Sequence, residues 1–76
     1  MADIPEHPRI SIDPNVLLGK PVIRGTRIPV ELVLRKLGAG MSSEATLLDH
    51  PRLTQDDIRA AQAFAADYLV DEDITE

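Results

Sequence analysis

Two kinds of hydrophobic spacing follow one another along this 76-residue chain. In Arg9-Ile10-Ser11-Ile12-Asp13, Ile10 and Ile12 fall on one face with polar neighbours between them, the period of a short strand. The β-branched pair Val22 and Ile23 marks a second strand over residues 21–24. Asp13-Pro14-Asn15 reads as a turn, since Asp favours the first turn position and proline presets φ at the second. Val16-Leu17-Leu18-Gly19 then leads into the second strand. The two strands are expected to pair as a hairpin, which is marginal in water until something packs behind it.

From Pro29 onward the period lengthens. Val30, Val33, Leu34 and Leu37 are spaced i, i+3, i+4 and i+7, which predicts a helix over residues 29–37. Arg35 and Lys36 suit its last turn, and Gly38 or Gly40 ends it. Ser42 or Ser43 caps a shorter helix reaching Asp49, with Ala45 and Leu48 expected inside and His50-Pro51 as the stop. Thr54 opens a third helix and Asp57, three residues on, completes a capping-box-like pair. Ile58, Ala61, Ala65 and Tyr68 or Leu69 form its expected buried stripe, with Phe64 beside it.

The expected fold is mainly α: a short N-terminal β-hairpin followed by a three-helix, helix-turn-helix-like bundle of the homeodomain-like or winged-helix-like kind. Residues 1–8, with Pro5 and Pro8 and no apolar period, read as a loose arm. Residues 9–70 form a single domain, and residues 71–76 an acidic tail.

The most constrained stretch is Gly19-Lys20-Pro21-Val22-Ile23-Arg24-Gly25-Thr26-Arg27-Ile28-Pro29-Val30. Gly25 can take the positive φ that the end of the strand requires. Ile28, preceding proline, is pushed towards extended geometry, and Pro29 suits a helix start. Arg24 and Arg27 are thereby held on the connection. They can pair with acids such as Asp13, Glu31 or Asp49, which the tight backbone favours, or reach out to a partner or nucleic acid.

This run resembles the signature of a small prokaryotic family, domain of unknown function 433. Ile12-Asp13-Pro14, Gly40-Met41-Ser42 and His50-Pro51-Arg52-Leu53-Thr54 match the same pattern at the right intervals. The resemblance runs roughly from Ile10 to Tyr68. It implies a helix-turn-helix-like domain, often encoded beside a PIN-like ribonuclease toxin and regarded as its VapB-like antitoxin. It carries little over residue by residue, but it makes Arg24, Gly25, Thr26, Arg27 and Pro29 a junction to examine for structure or partner contact.

Charge sharpens the picture because it is uneven. Residues 1–40 hold six cations and four acids, residues 41–76 two cations and nine acids, and together they give the net −5. A free-standing DNA binder usually shows a basic surface, so a pI near 4.8 argues against strong binding by the chain alone. A small core without cysteine favours self-association, as a homodimer, and a partner. Neither a signal peptide nor a membrane-crossing apolar run is seen, so a cytoplasmic protein is expected.

Catalytic chemistry is not visible. His7 lies in the arm and His50 in a turn, without cysteine or a His–carboxylate metal spacing, so no catalytic residue, metal or cofactor is expected. Adjacent Asp56 and Asp57 point apart on a helix and read as favourable N-terminal charge. Gly19-Lys20 lacks the rest of a phosphate-binding loop.

Binding chemistry has two sites. In a helix-turn-helix the third helix reads DNA, which nominates Gln55, Arg59 and Gln62, with Arg52 ahead of it on backbone phosphate. Asp56 and Asp57 would repel phosphates there, and an ordinary polar helix face accounts for the residues equally well. The second site is the mixed acidic and apolar end, Asp67, Tyr68, Leu69, Val70, Asp71, Glu72, Asp73 and Ile74, suited to a basic groove.

The expected function is that of a non-enzymatic antitoxin. It would neutralise a PIN-like ribonuclease toxin and, through operator DNA, regulate its own operon. A stand-alone helix-turn-helix regulator, or a dimeric interaction module that never touches DNA, are the alternatives.

Overall fold

The computed structural model describes residues 2–4 at the level of the backbone and residues 6–69 with their side chains. Three strands, β1 (Ala2–Ile4), β2 (His7–Ile12) and β3 (Val22–Ile23), precede three helices, α1 (Val30–Gly38), α2 (Ser43–Asp49) and α3 (Gln55–Leu69). The architecture is mainly α with a short N-terminal hairpin, and the helix ends fall within a residue or so of those the spacing predicts.

The hairpin is the antiparallel pair β2–β3, with Ile10 opposite Ile23 and Ser11 opposite Val22. The loose arm expected over residues 1–8 is corrected. Ala2–Ile4 pair antiparallel with β2 on its other edge, giving the order β1-β2-β3. The register shifts between Asp3 and Ile4, a bulge that lets the chain reverse into His7. β2 is therefore a central strand, and it begins two residues earlier than the alternation shows.

Ile10, Ile23, Val30, Val33, Leu53, Ile58 and Ala61 make the core. Sheet and helices thus bury one another, which relieves the hairpin of its isolation. α1 ends as expected, with Gly40 at φ +97°. Met41 N–H reaches Lys36 O and Gly40 N–H reaches Leu37 O, the paired bonds of a Schellman stop. Ser42 Oγ accepts from Ala45 N–H at 3.1 Å and caps α2.

Two burial expectations are corrected. On α2 the fully buried residue is Thr46, while Leu48 is 81 % exposed. Thr46 goes inside because its hydroxyl donates to Ser42 O at 2.9 Å, so burial leaves no orphaned group. Tyr68 and Leu69, placed on the α3 stripe, are exposed. The stripe holds through Ile58 and Ala61, then runs past the elements that cover it. The segment after the first turn is not a simple lead-in either. Leu17, Leu18 and Gly19 all take positive φ, forming one tight left-handed turn that leaves Leu18 95 % exposed.

Candidate functional site

The junction between β3 and α1 is built by local hydrogen bonds. Gly25 has φ +79°, as its place at the strand end requires. Thr26 Oγ1 donates to Ile23 O at 2.7 Å and accepts from Ile28 N–H at 2.9 Å, fastening both sides of the turn. Val30 N–H reaches Pro21 O at 2.9 Å, so α1 starts directly against the strand. Pro29 is the N-cap of α1 instead of its first helical residue, and it bridges to Val22.

The acids expected to pair with Arg24 and Arg27 are used elsewhere. Glu31 meets Lys20 and Arg35, Asp49 meets Lys36, and Asp13 accepts from Asn15 N–H within its turn. Arg24 Nε donates to Pro8 O at 2.6 Å, binding the turn to β2. Arg27 is exposed and has no acid partner among the described residues.

The four residues nominated as DNA readers are not one surface of equal character. Arg52 leaves the turn before α3 and donates to Gly25 O at 3.2 Å, which brings it to the β3–α1 junction. Arg59 lies 3.3 Å from Asp56, one turn away on its own helix. Asp56 also faces Arg9 at 3.6 Å. Gln55 is half-buried and Gln62 exposed. The early turns of α3 are therefore a balanced ion-pair surface and not a basic one.

Asp57 is the buried member of that surface. One carboxylate oxygen accepts from Thr54 N–H at 3.0 Å while Asp57 N–H donates to Thr54 Oγ1 at 3.2 Å, the reciprocal cap that the sequence predicts. The other oxygen accepts from Arg9 at 3.1 Å, a tie to β2 that nothing in the local pattern signals.

At the opposite end of α3 the sheet supplies a second anchor. His7 is 9 % exposed, its Nε2 stands 2.7 Å from Asp67 Oδ2, and its ring meets Phe64 edge-on at 5.4 Å. Phe64 in turn stacks with Tyr68 at 6.2 Å. Two shallow depressions flank this column. One, of about 230 Å³, is lined by Glu6, His7, Phe64, Asp67 and Tyr68. The other, of about 220 Å³, is almost wholly apolar and lies between the start of α1 (Pro21, Val30, Glu31) and the end of α3 (Phe64, Ala65, Tyr68, Leu69).

Of the acidic and apolar end, Asp67, Tyr68 and Leu69 thus stand at one exposed rim. Val70, Asp71, Glu72, Asp73 and Ile74 lie outside the described residues. Among the described residues no three His, Cys, Asp or Glu side chains converge to hold a metal ion. No helix is long and apolar enough to cross a membrane.

Comparison with known proteins gives three findings. The family model described as "Protein of unknown function (DUF433)" matches residues 10–65. The uncharacterized protein y4eO of Sinorhizobium fredii (strain NBRC 101917 / NGR234) is 41% identical over 56 residues, 74% of this chain but only 25% of y4eO. The crystal structure of a DUF433 member protein from Anabaena variabilis ATCC 29413 superposes with a TM-score of 0.70 at 33% identity. That match covers 84% of this chain and 59% of the other. The chain spans a quarter of one relative and under two thirds of the other.

Proposed function

Because the chain belongs to the DUF433 family of proteins of unknown function, and because α3 ends in an exposed apolar rim beside acidic residues, we propose that it is a non-enzymatic, antitoxin-like binding protein. Its partner is a basic PIN-like ribonuclease, held on the groove between the start of α1 and the end of α3, and its place is the cytoplasm. The observation that carries the reading is the exposure of Tyr68 and Leu69 beside that apolar groove, 72 % and 55 %. Exposed apolar groups gathered beside an apolar groove, as opposed to ones scattered singly, are the pattern of a contact surface.

Charge favours a basic protein as the occupant. Glu31, already paired with Lys20 and Arg35, lines the groove, Asp67 lines the neighbouring depression, and the sequence continues into Asp71, Glu72, Asp73 and Glu76. Complementary charge steers encounter, and the apolar residues supply contact area. A second copy of this acidic chain on the same groove would set like charges against each other, so homodimerisation uses another surface. Operator binding, if part of the function, is strongest in the complex, where the partner adds positive charge and valency.

Affinity purification of the tagged protein from its own cells at moderate salt tests this. The expected result is one stoichiometric, basic, nuclease-like protein, lost from the double variant Tyr68→Ser/Leu69→Ser. A chain that elutes alone, or a partner that the double variant retains, overturns the reading.

A further inference from the structure

Glu6, His7, Phe64, Asp67 and Tyr68 line a depression of about 230 Å³ where the turn into β2 meets the end of α3. Its walls combine two carboxylates with the rings of Phe64 and Tyr68, and no Lys or Arg is among them. Glu6 meets no cation among the described residues. Asp67 gives Oδ2 to His7 Nε2 and keeps Oδ1 without a partner among them. Arg9 and Arg59 line the next depression along, which shares Glu6 and His7. Both are held by Asp56, and Arg9 by Asp57 as well, at 3.1 to 3.6 Å. Much of the wall is set in place before anything binds. His7 is buried and stands 2.7 Å from Asp67, and half-buried Phe64 meets the His7 ring edge-on.

We propose that this depression receives the side chain of an arginine carried by a partner protein. A guanidinium suits both kinds of wall: its plane stacks on an aromatic ring, and its edge donates to carboxylate oxygens, here those of Glu6 and Oδ1 of Asp67. A lysine ammonium would answer the carboxylates but has no plane to stack. Size favours one side chain over a free small molecule, because pockets for such ligands begin at about 300 Å³ and enclose most of the ligand. With Asp67 and Phe64 already positioned, the ordering cost of binding falls mainly on Glu6. The depression lies across the Phe64–Tyr68 pair from the apolar groove. The proposal rests on the reading that a basic protein meets this end of α3, and it supplies what the groove lacks, a polar anchor that fixes how that partner is seated.

The test is an NMR titration of the full chain with N-acetyl-arginine methylamide, beside its lysine counterpart and its uncharged citrulline counterpart, at matched ionic strength. Saturable shifts are expected on the Phe64 and Tyr68 rings and on the amides of Glu6, His7 and Asp67. The arginine compound should bind most tightly and the citrulline compound not at all. Glu6→Gln should weaken arginine binding about threefold, the share of one exposed charged contact, with the rest of the spectrum unmoved. The proposal is overturned by the absence of saturable shifts, by equal binding of the citrulline compound, or by tighter binding of the lysine compound. Shifts centred on the apolar groove, or undiminished binding by Glu6→Gln, overturn it as well. The titration needs no partner, so the two readings fail separately. An empty affinity purification overturns the functional reading, and a captured partner with a silent titration overturns the arginine site alone.

Discussion

Arg9 and Asp57 meet at 3.1 Å and join the central strand of the sheet to the first turn of α3. The two residues are 48 apart in the chain, and the same carboxylate also caps the helix through Thr54 N–H. Asp57 is 7 % exposed, so its carboxylate has little water to replace a lost donor, while the Arg9 side chain is about half exposed.

Asp57→Ala should therefore cost about 2–3 kcal/mol, the sum of a lost cap and a lost charged hydrogen bond. For a domain of this size that lowers Tm by roughly 10 °C or more. Asp56→Ala is the comparison, since Asp56 meets the same Arg9 from an exposed position and should cost no more than about 0.5 kcal/mol. Equal losses for the two variants in thermal melts would show that burial does not distinguish them.

His7 makes two contacts of different kinds, and they can be separated. Its ring is buried against Phe64, whereas its carboxylate partner Asp67 is largely exposed. A polar contact to an exposed carboxylate contributes little, and buried rings contribute through area and edge-to-face geometry. His7→Ala should cost about 2 kcal/mol, and Asp67→Asn less than about 0.5 kcal/mol. Urea denaturation of both variants decides it, and a loss in Asp67→Asn as large as in His7→Ala would give the His7–Asp67 contact the larger share.

What the sequence discloses here is mostly what is settled within four residues. The Thr54–Asp57 cap, the Ser42 cap, the Asp13 turn and the positive φ of Gly25 all follow from side chains acting on their own backbone. The α1 stripe is legible because nine residues fix its phase. α2 has only seven, so its rotation is open, and Thr46 hides its polarity in a bond to Ser42 O where Leu48 looks the better core residue. β1 carries no alternation and exists through pairing with β2. The meeting of Arg52 with the Gly25 turn is illegible for a similar reason: it spans 27 residues and depends on how α3 docks.

Leu18 carries a cost that its contacts do not repay. It takes φ +58° between Leu17 at +49° and Gly19 at +85°, and its side chain is nearly all in solvent. A non-glycine residue in the left-handed region loses on the order of 1 kcal/mol, which glycine avoids at the expense of greater unfolded-state freedom. Leu18→Gly should then leave stability unchanged or raise it by up to about 1 kcal/mol. A loss above about 0.5 kcal/mol would mean that the leucine packs on something in solution, and a second copy of the chain would be the first thing to look for by sedimentation.

Tyr68 and Leu69 are the residues at which stability and function should part. Tyr68 stacks on Phe64 at 6.2 Å but is 72 % exposed, and Leu69 is 55 % exposed at the end of α3. Neither belongs to the buried cluster around Ile58 and Val33. Replacing both with serine should cost no more than about 1 kcal/mol, most of it from the lost ring contact. Capture of the proposed basic partner should fall by more than about tenfold, because anchors of this kind carry a disproportionate share of binding free energy. The two quantities are read on the same preparation, one by thermal melt and one by pull-down against purified partner. A variant that melts much earlier would place the pair in the fold, and one that binds normally would move the contact surface elsewhere on the chain.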